Sequence, residues 1–284
     1  MSSAPISYTI HPKENFYLYL KVIVCLLIYP GIFYGLYLLF SSGITPQAGI
    51  FVAYASLILL FIIIQMGLLI GYLKGNAIKI SENQLPDIYE IVKHQSAALG
   101  MATTPQVYLV QVGGALNAFA TSFMGTNYVV IYSDILEEAY ENNIHSVEFI
   151  VGHELGHVKR KHVLKRLILF PSFIIPFLSS AYSRACEYTC DNIGAALSPK
   201  GARNGLLILA SGKRLYSKIN VEQFALQMHS EGGFWAWLSE KTSSHPKLAR
   251  RVAQFRGEEF NPEQKKANVP LEKKEMDHSA YLPR

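Results

Sequence analysis

Apolar positions run almost unbroken from Val22 to Leu73, and no Asp, Glu, Lys or Arg stands between Lys21 and Lys74. A helix crosses the hydrocarbon core of a bilayer with about 20 apolar residues, so the run has room for two crossings. Ser41-Ser42-Gly43-Ile44-Thr45-Pro46-Gln47 interrupts it with turn-forming residues, which predicts helices over 17–40 and 48–73. Buried helices of soluble proteins are rarely uncharged for so long. A cleaved signal peptide would have a shorter apolar stretch, with no second one directly behind it. Basic residues flank the pair on one side only: His11, Lys13 and Lys21 before it, Lys74 and Lys79 after it, none in the turn. The positive-inside rule therefore puts both termini, and the roughly 200 residues that follow, in the cytoplasm, where thiols stay reduced.

Beyond residue 75 the pattern becomes that of a globular domain. Pro86 to Leu99 has helical apolar spacing (Ile88, Ile91, Val92, Leu99) and Gly100 as a stop. Gln106–Val112, Ala115–Phe123 and Tyr128–Tyr132 read as three strands, with turns at Gly113-Gly114 and Gly125-Thr126-Asn127. Ser133 or Asp134 caps a short helix through Glu141, and helices then dominate: about 146–166, 180–197, 199–216, 221–229 and 246–256. From Gly257 the chain is polar, charge-mixed and poor in apolar residues, which predicts a disordered tail over 257–284. The expected organisation is thus a cytoplasmic segment (1–16), a two-helix anchor (17–75), a catalytic domain (76–256) and the tail.

Composition narrows the function classes. Half of the residues are hydrophobic and 17% are charged, against roughly a quarter in an ordinary soluble domain. That balance excludes a disordered or acidic solvating protein. Three cysteines exclude a disulfide-framed secreted scaffold. The net charge of +5 comes without a long basic block or an Arg-rich stripe interleaved with aromatics, so nucleic acid is not an expected partner.

The chemistry lies in His153-Glu154-Leu155-Gly156-His157. Positions i and i+4 of a helix share a face one turn apart, so two imidazoles can reach one zinc ion. The Glu beside the first His can then take a proton from a water that the metal activates. Val147, Ile150, Val151, Leu155 and Val158 give the same helix a core face. A catalytic zinc needs a third protein ligand and an open position. A third His six residues beyond the second is excluded, because position 163 is Val. His162 is one residue short, and on a continuous helix it would point away from His153 and His157, as a packing or solvated residue. Glu187 and Asp191, also i and i+4, offer another solution: Glu187 as ligand, and Asp191 accepting a hydrogen bond that fixes a ligand imidazole. Alone, the pair equally suits an amphipathic helix with two outward acids. Cys186 and Cys190 flank Glu187 as packed, reduced thiols, and Cys25 lies inert in an apolar helix.

Taken together these residues resemble a known family, the integral-membrane zinc endopeptidases that include the CAAX prenyl protease and the HtpX-like peptidases. Four elements in order carry the resemblance: Asn117-Ala118-Phe119-Ala120 on a strand, the HExxH at 153–157, the Glu187/Asp191 pair within Ser-Arg-x-x-Glu-x-x-x-Asp, and His245-Pro246 followed by Arg251. It implies an α+β, mostly helical fold in which the two-helix transmembrane anchor precedes a gluzincin-type zinc protease domain with a small antiparallel sheet. It implies one zinc ion per chain, held by His153, His157 and Glu187, with Asp191 behind them and Glu154 as general base. Asn117, Ala118, Phe119 and Ala120 are implied to line an edge strand on which substrate lies extended, although Asn117 also suits a plain hairpin. His245 is implied to steady an oxyanion, although it also suits a loop before a helix-starting Pro. Arg251 is implied to pair with a site carboxylate or to lie on a solvated helix face.

The resemblance further implies polypeptide substrates, misfolded membrane proteins among them, a lipid bilayer as partner and a bacterial cytoplasmic membrane as location. It leaves the oligomeric state undefined. A non-proteolytic zinc-bound adaptor or chaperone, and a prenyl-protein processing protease, stand as alternatives. The chain also departs from the HtpX-like pattern, which has two further spanning helices between HExxH and the ligand Glu. Here residues 167–183 are uncharged but short, and Pro171 and Pro176 interrupt them. One crossing would separate His157 from Glu187 across the bilayer, and two do not fit. The expectation is a membrane-skimming or re-entrant hairpin flanked by Lys165, Arg166 and Arg184, with a buried connector as the alternative.

Overall fold

The computed structural model describes residues 6–112, 117–141, 144–212 and 214–255. The predicted tail and the Gly113-Gly114 turn lie outside them. The two apolar helices form as α1 (Pro12–Ser41) and α2 (Thr45–Asn76), each longer than the apolar run alone predicts. Both are long and apolar enough to cross a membrane, with mean hydropathies of 2.2 and 2.4. Only 6% of each apolar window is buried in the protein, which separates them from the core helices of a soluble domain.

A short strand β1 (Ile78–Ile80) follows α2 directly, then α3 (Pro86–Ala98), β2 (Gln106–Val110), β3 (Ala118–Phe123) and β4 (Thr126–Tyr132). The β3–β4 hairpin turns at Met124 and Gly125, both at positive φ, as a two-residue hairpin demands. The sheet order is β1-β2-β4-β3. It is mixed, not antiparallel as predicted: β1 and β3 pair antiparallel with their neighbours, but β2 and β4 are parallel. The reason is topological. The hairpin partner of β3 inserts beside β2, so β3 is displaced to the edge.

The helical half comprises α4 (Ser133–Glu141), α5 (Ile144–Lys159), α6 (His162–Ile168), α7 (Leu178–Leu197), α8 (Ala202–Ser211), α9 (Val221–Ser230), α10 (Phe234–Thr242) and α11 (Leu248–Gln254). Helix α5 lies against α7, and Gly156 lets it do so: a Cβ there would meet the Cys190 sulfur at 3.2 Å and its Cα at 3.4 Å. The main core gathers buried residues from the sheet and these helices, among them Val129, Ile131, Phe149, Leu155, Ile193 and Leu206. A second cluster joins Ile70 and Leu73 of α2 to Tyr108, Tyr128 and Val130 of the sheet. Helix α2 is thus built into the domain at its C-terminal end.

The helix expected over 146–166 is broken. Lys161 adopts a left-handed conformation (φ 54°) between α5 and α6. After α6, a 3₁₀ turn at Phe170–Ile174 returns the chain to α7. Leu167, Ile168, Phe170, Phe173 and Ile174 are exposed, so the segment is not a buried connector. It runs beside α1, where Tyr29 Oη donates to the Ile168 carbonyl (2.6 Å).

Candidate metal centre

One turn of α5 presents His153 and His157 toward Glu187 on α7. The distances are 3.2 Å between the two imidazole Nε2 atoms, 3.4 Å from His153 Nε2 to Glu187 Oε2, and 3.4 Å from His157 Nε2 to Glu187 Oε1. Ligand atoms 2.0–2.1 Å from a tetrahedral zinc lie about 3.3 Å apart, so this donor set fits zinc. Two imidazole nitrogens and a carboxylate converging in this way gather electron pairs around a point suited to a cation. The local field agrees. Burial disfavours a charged His153, but hydrogen bonds and charge from Asp191 and Glu187 outweigh it and lift its pKa to about 10. Burial likewise opposes ionisation of Glu187, yet His153, His157 and Arg251 hold it well below the usual carboxylate range.

Behind the donors, Asp191 Oδ1 sits 3.0 Å from His153 Nδ1. Asp191 accepts two further hydrogen bonds from Arg251, from Nε at 2.8 Å and Nη2 at 2.6 Å, and Arg251 Nη1 is 3.4 Å from Glu187 Oε2. Arg251 is buried, so of its two predicted placements the carboxylate pairing is the one observed. His245 remains exposed, with Nε2 3.5 Å from Glu187 Oε1. Both residues line a cleft of about 280 Å³ together with Glu154, His153, His157 and Glu187. Asn117, Ala118, Phe119 and Ala120 line the same cleft, the last three on the edge strand β3. Every site residue singled out in the sequence, Asp191 apart, therefore faces one cleft, and Asp191 backs it.

His162 departs from its predicted position. The break at Lys161 turns it inward, and it is buried with Nδ1 3.0 Å from His157 Nδ1. Burial, with His157 and Lys165 adding to it, lowers its pKa to about 4 against the opposing pull of Glu14. On its far side, His162 Nε2 lies 3.3 Å from Glu14 Oε1, which also accepts from Arg160 Nε (3.1 Å) and Nη2 (2.8 Å). Sequence reasoning missed Glu14. Its signal is that it is the only acidic residue before Glu82, and a lone carboxylate at the foot of an apolar helix needs a partner.

Two other donor groups also come within metal-binding reach among the described residues, His157/His162/Cys190 and Glu14/His162/Cys186. Both rely on thiols that burial pushes up, Cys190 well above the usual range and Cys186 to about 12, whereas a metal takes the thiolate. The Glu14 oxygen in the second group is already engaged by a guanidinium. The His153/His157/Glu187 set needs no thiolate.

The profile of peptidase family M48 matches residues 82–175 and 169–259, well over half of the chain. The chain belongs to peptidase family M48. The HExxH at 153–157 and the two apolar helices are in keeping with that family. No curated protein sequence matches it. Among solved structures it is similar to the crystal structure of S. mikatae Ste24p, with 12% identity and a TM-score of 0.48 over 72% of this chain. The match covers 56% of that chain, so this chain spans little more than half of its length.

Proposed function

We propose that the chain is a membrane-anchored zinc endopeptidase that cleaves polypeptides at the cytoplasmic face of its membrane, in the turnover of misfolded membrane proteins. The observation that carries the catalytic part is the triangle of 3.2, 3.4 and 3.4 Å between His153, His157 and Glu187, in a cleft that Glu154 also lines. These three residues would hold one zinc ion. When bound, zinc supplies Lewis acidity that brings the pKa of a water toward neutrality and polarises the scissile carbonyl. Glu154 takes the proton from the attacking water and returns it to the leaving amine. His245, on the open side of the cleft, donates to the oxygen that gains negative charge. Asn117 to Ala120 offer an edge strand to which an extended substrate adds its own backbone, and Ala118 and Ala120 keep that approach open.

The bilayer belongs to this reading too. Tyr29 lies about 12 Å along α1 beyond Lys21, and its hydroxyl meets Ile168 of the apolar turn. If the uncharged part of α1 spans the bilayer, residues 167–177 dip below its surface as a re-entrant hairpin, and the cleft, which Arg166 also lines, opens beside it. Both termini are then cytoplasmic, as the basic flanks predict.

Glu154→Gln tests the mechanism. The variant should keep its zinc, while cleavage of an unfolded casein-like substrate falls at least about 100-fold. Undiminished cleavage would sink the assignment. A non-proteolytic adaptor would have no use for a general base, so its prediction is zinc without turnover in the unmodified chain. A prenyl-processing enzyme would require a prenylated peptide where casein is ignored.

A further inference from the structure

The metal ligands are held by two different devices. His153 leans directly on Asp191, but among the described residues no carboxylate meets His157 Nδ1. Its Nδ1 faces His162 Nδ1 at 3.0 Å, and His162 Nε2 faces Glu14 Oε1 at 3.3 Å. Only one arrangement of protons satisfies this line while leaving His157 Nε2 free for a metal. His157 Nδ1–H donates to a bare His162 Nδ1, and His162 Nε2–H donates to the Glu14 carboxylate. Arg160 clamps the same carboxylate oxygen and keeps it an acceptor.

Glu14 belongs to the first turn of α1, the helix that continues as the first apolar span. The N-terminal third of α1 is fastened to α7, the helix that carries Glu187. The His11 backbone N–H donates to Thr189 Oγ1 at 3.0 Å, and Lys21 Nζ donates to Ser179 Oγ at 2.8 Å. The carboxylate therefore has a fixed position relative to both halves of the donor set.

We propose that Glu14 and His162 are positioning residues for the metal ligand His157, forming a carboxylate–imidazole–imidazole relay through which the first anchor helix completes the metal site. Second partners of this kind set the tautomer and ring orientation of a ligating imidazole, and removing one typically weakens metal binding about 10- to 100-fold. The anchor is then part of the catalytic centre as well as a tether, and the first turn of α1 is needed for tight metal binding. The inference rests on His157 being a ligand, as proposed above.

The test is zinc affinity of the full-length chain in detergent, read by competition with a chelator. His162→Phe fills the space but cannot bridge, and should weaken zinc about 10- to 100-fold. His162→Gln can accept from His157 with its oxygen and donate to Glu14 with its nitrogen, and should stay within about 3-fold of the unmodified chain. Because Glu14 acts through His162, the double variant Glu14→Ala/His162→Phe should bind no more weakly than His162→Phe alone. If His162→Phe does not accumulate as folded protein, Glu14→Ala takes its place with the same expected loss. Unchanged affinity in the bridging-deficient variant, or equal losses for Gln and Phe, overturns the relay while leaving the metal site intact. A chain that binds no zinc, or whose zinc is indifferent to His157→Ala, overturns both.

Discussion

Arg251 and Asp191 form a two-point ion pair, 2.8 Å from Nε to Oδ2 and 2.6 Å from Nη2 to Oδ1, entirely inside the protein. Sixty residues separate them, and the pair ties the last described helix, α11, to the helix that carries Glu187. Burial favours the neutral form of Asp191, but the Arg251 guanidinium and the His153 hydrogen bond hold it below its ordinary value. The carboxylate is therefore ionised when it receives His153.

Breaking such a pair from one side leaves a buried charge unmatched, at a cost of about 3–5 kcal/mol. Arg251→Gln should lower the thermal midpoint of the chain markedly and weaken zinc as well, since Asp191 and Glu187 would both lose their counter-charge. Arg251→Lys should recover only part of each, because an ammonium cannot make the two-point contact. Thermal denaturation with and without added zinc separates the two effects. A melting curve unchanged by Arg251→Gln would mean the pair does not hold α11 in place.

Close approach of α5 and α7 is the second condition for the site. At Gly156 a single added carbon already meets Cys190 at 3.2 Å, so Gly156→Val must push the helices apart or distort them, at about 1–3 kcal/mol. The displacement separates the His153/His157 face from Glu187. The expected result is a folded protein with both lower stability and weaker zinc, measured by circular dichroism and chelator competition. Zinc affinity equal to that of the unmodified chain would show that the donor set does not depend on this contact.

How much of this was legible in the sequence follows from the range of each interaction. The uncharged run, the HExxH and the Glu187/Asp191 pair are local patterns with fixed periods, and all survive in the structure. The parallel pairing of β2 with β4 is not local, because β4 reaches β2 only after the chain has passed through β3. The break at Lys161 has no Gly, Pro or Asn to announce it. The inward turn of His162 depends on that break, and its partner Glu14 lies 148 residues away. The two positioning residues were therefore hidden, although the ligand they support was plain.

Strand β3 should govern substrate affinity with no effect on the metal. Ala120 lines the cleft on the exposed edge of the sheet, and a large side chain there blocks the approach of an added strand. Ala120→Trp should raise KM for a peptide substrate about 10-fold or more while zinc affinity stays unchanged. An unchanged KM would place the substrate elsewhere in the cleft.

The chain's two tryptophans test whether the domain touches lipid. Trp235 and Trp237 both lie on α10, with exposures of 78% and 49%, beside Phe234 at 62%. Helix α10 is fastened to the start of α7: Arg184 Nη1 donates to the Lys241 and Ser243 carbonyls, and Ser180 Oγ donates to the Thr242 carbonyl. The Trp237 ring lies 6.5 Å from Phe177 at the end of the apolar turn. The α10 aromatics thus extend the surface formed by Phe170, Phe173 and Ile174, and tryptophan favours the boundary between lipid headgroups and hydrocarbon. In vesicles containing brominated phospholipids, the tryptophan emission of the intact chain should be quenched, since bromine acts only at close range. Replacing Phe170, Phe173 and Ile174 with Ser should reduce that quenching while α1 and α2 still hold the protein in the membrane. Emission indifferent to bromine would mean that α10 faces water, and that the domain touches the bilayer through its two anchor helices alone.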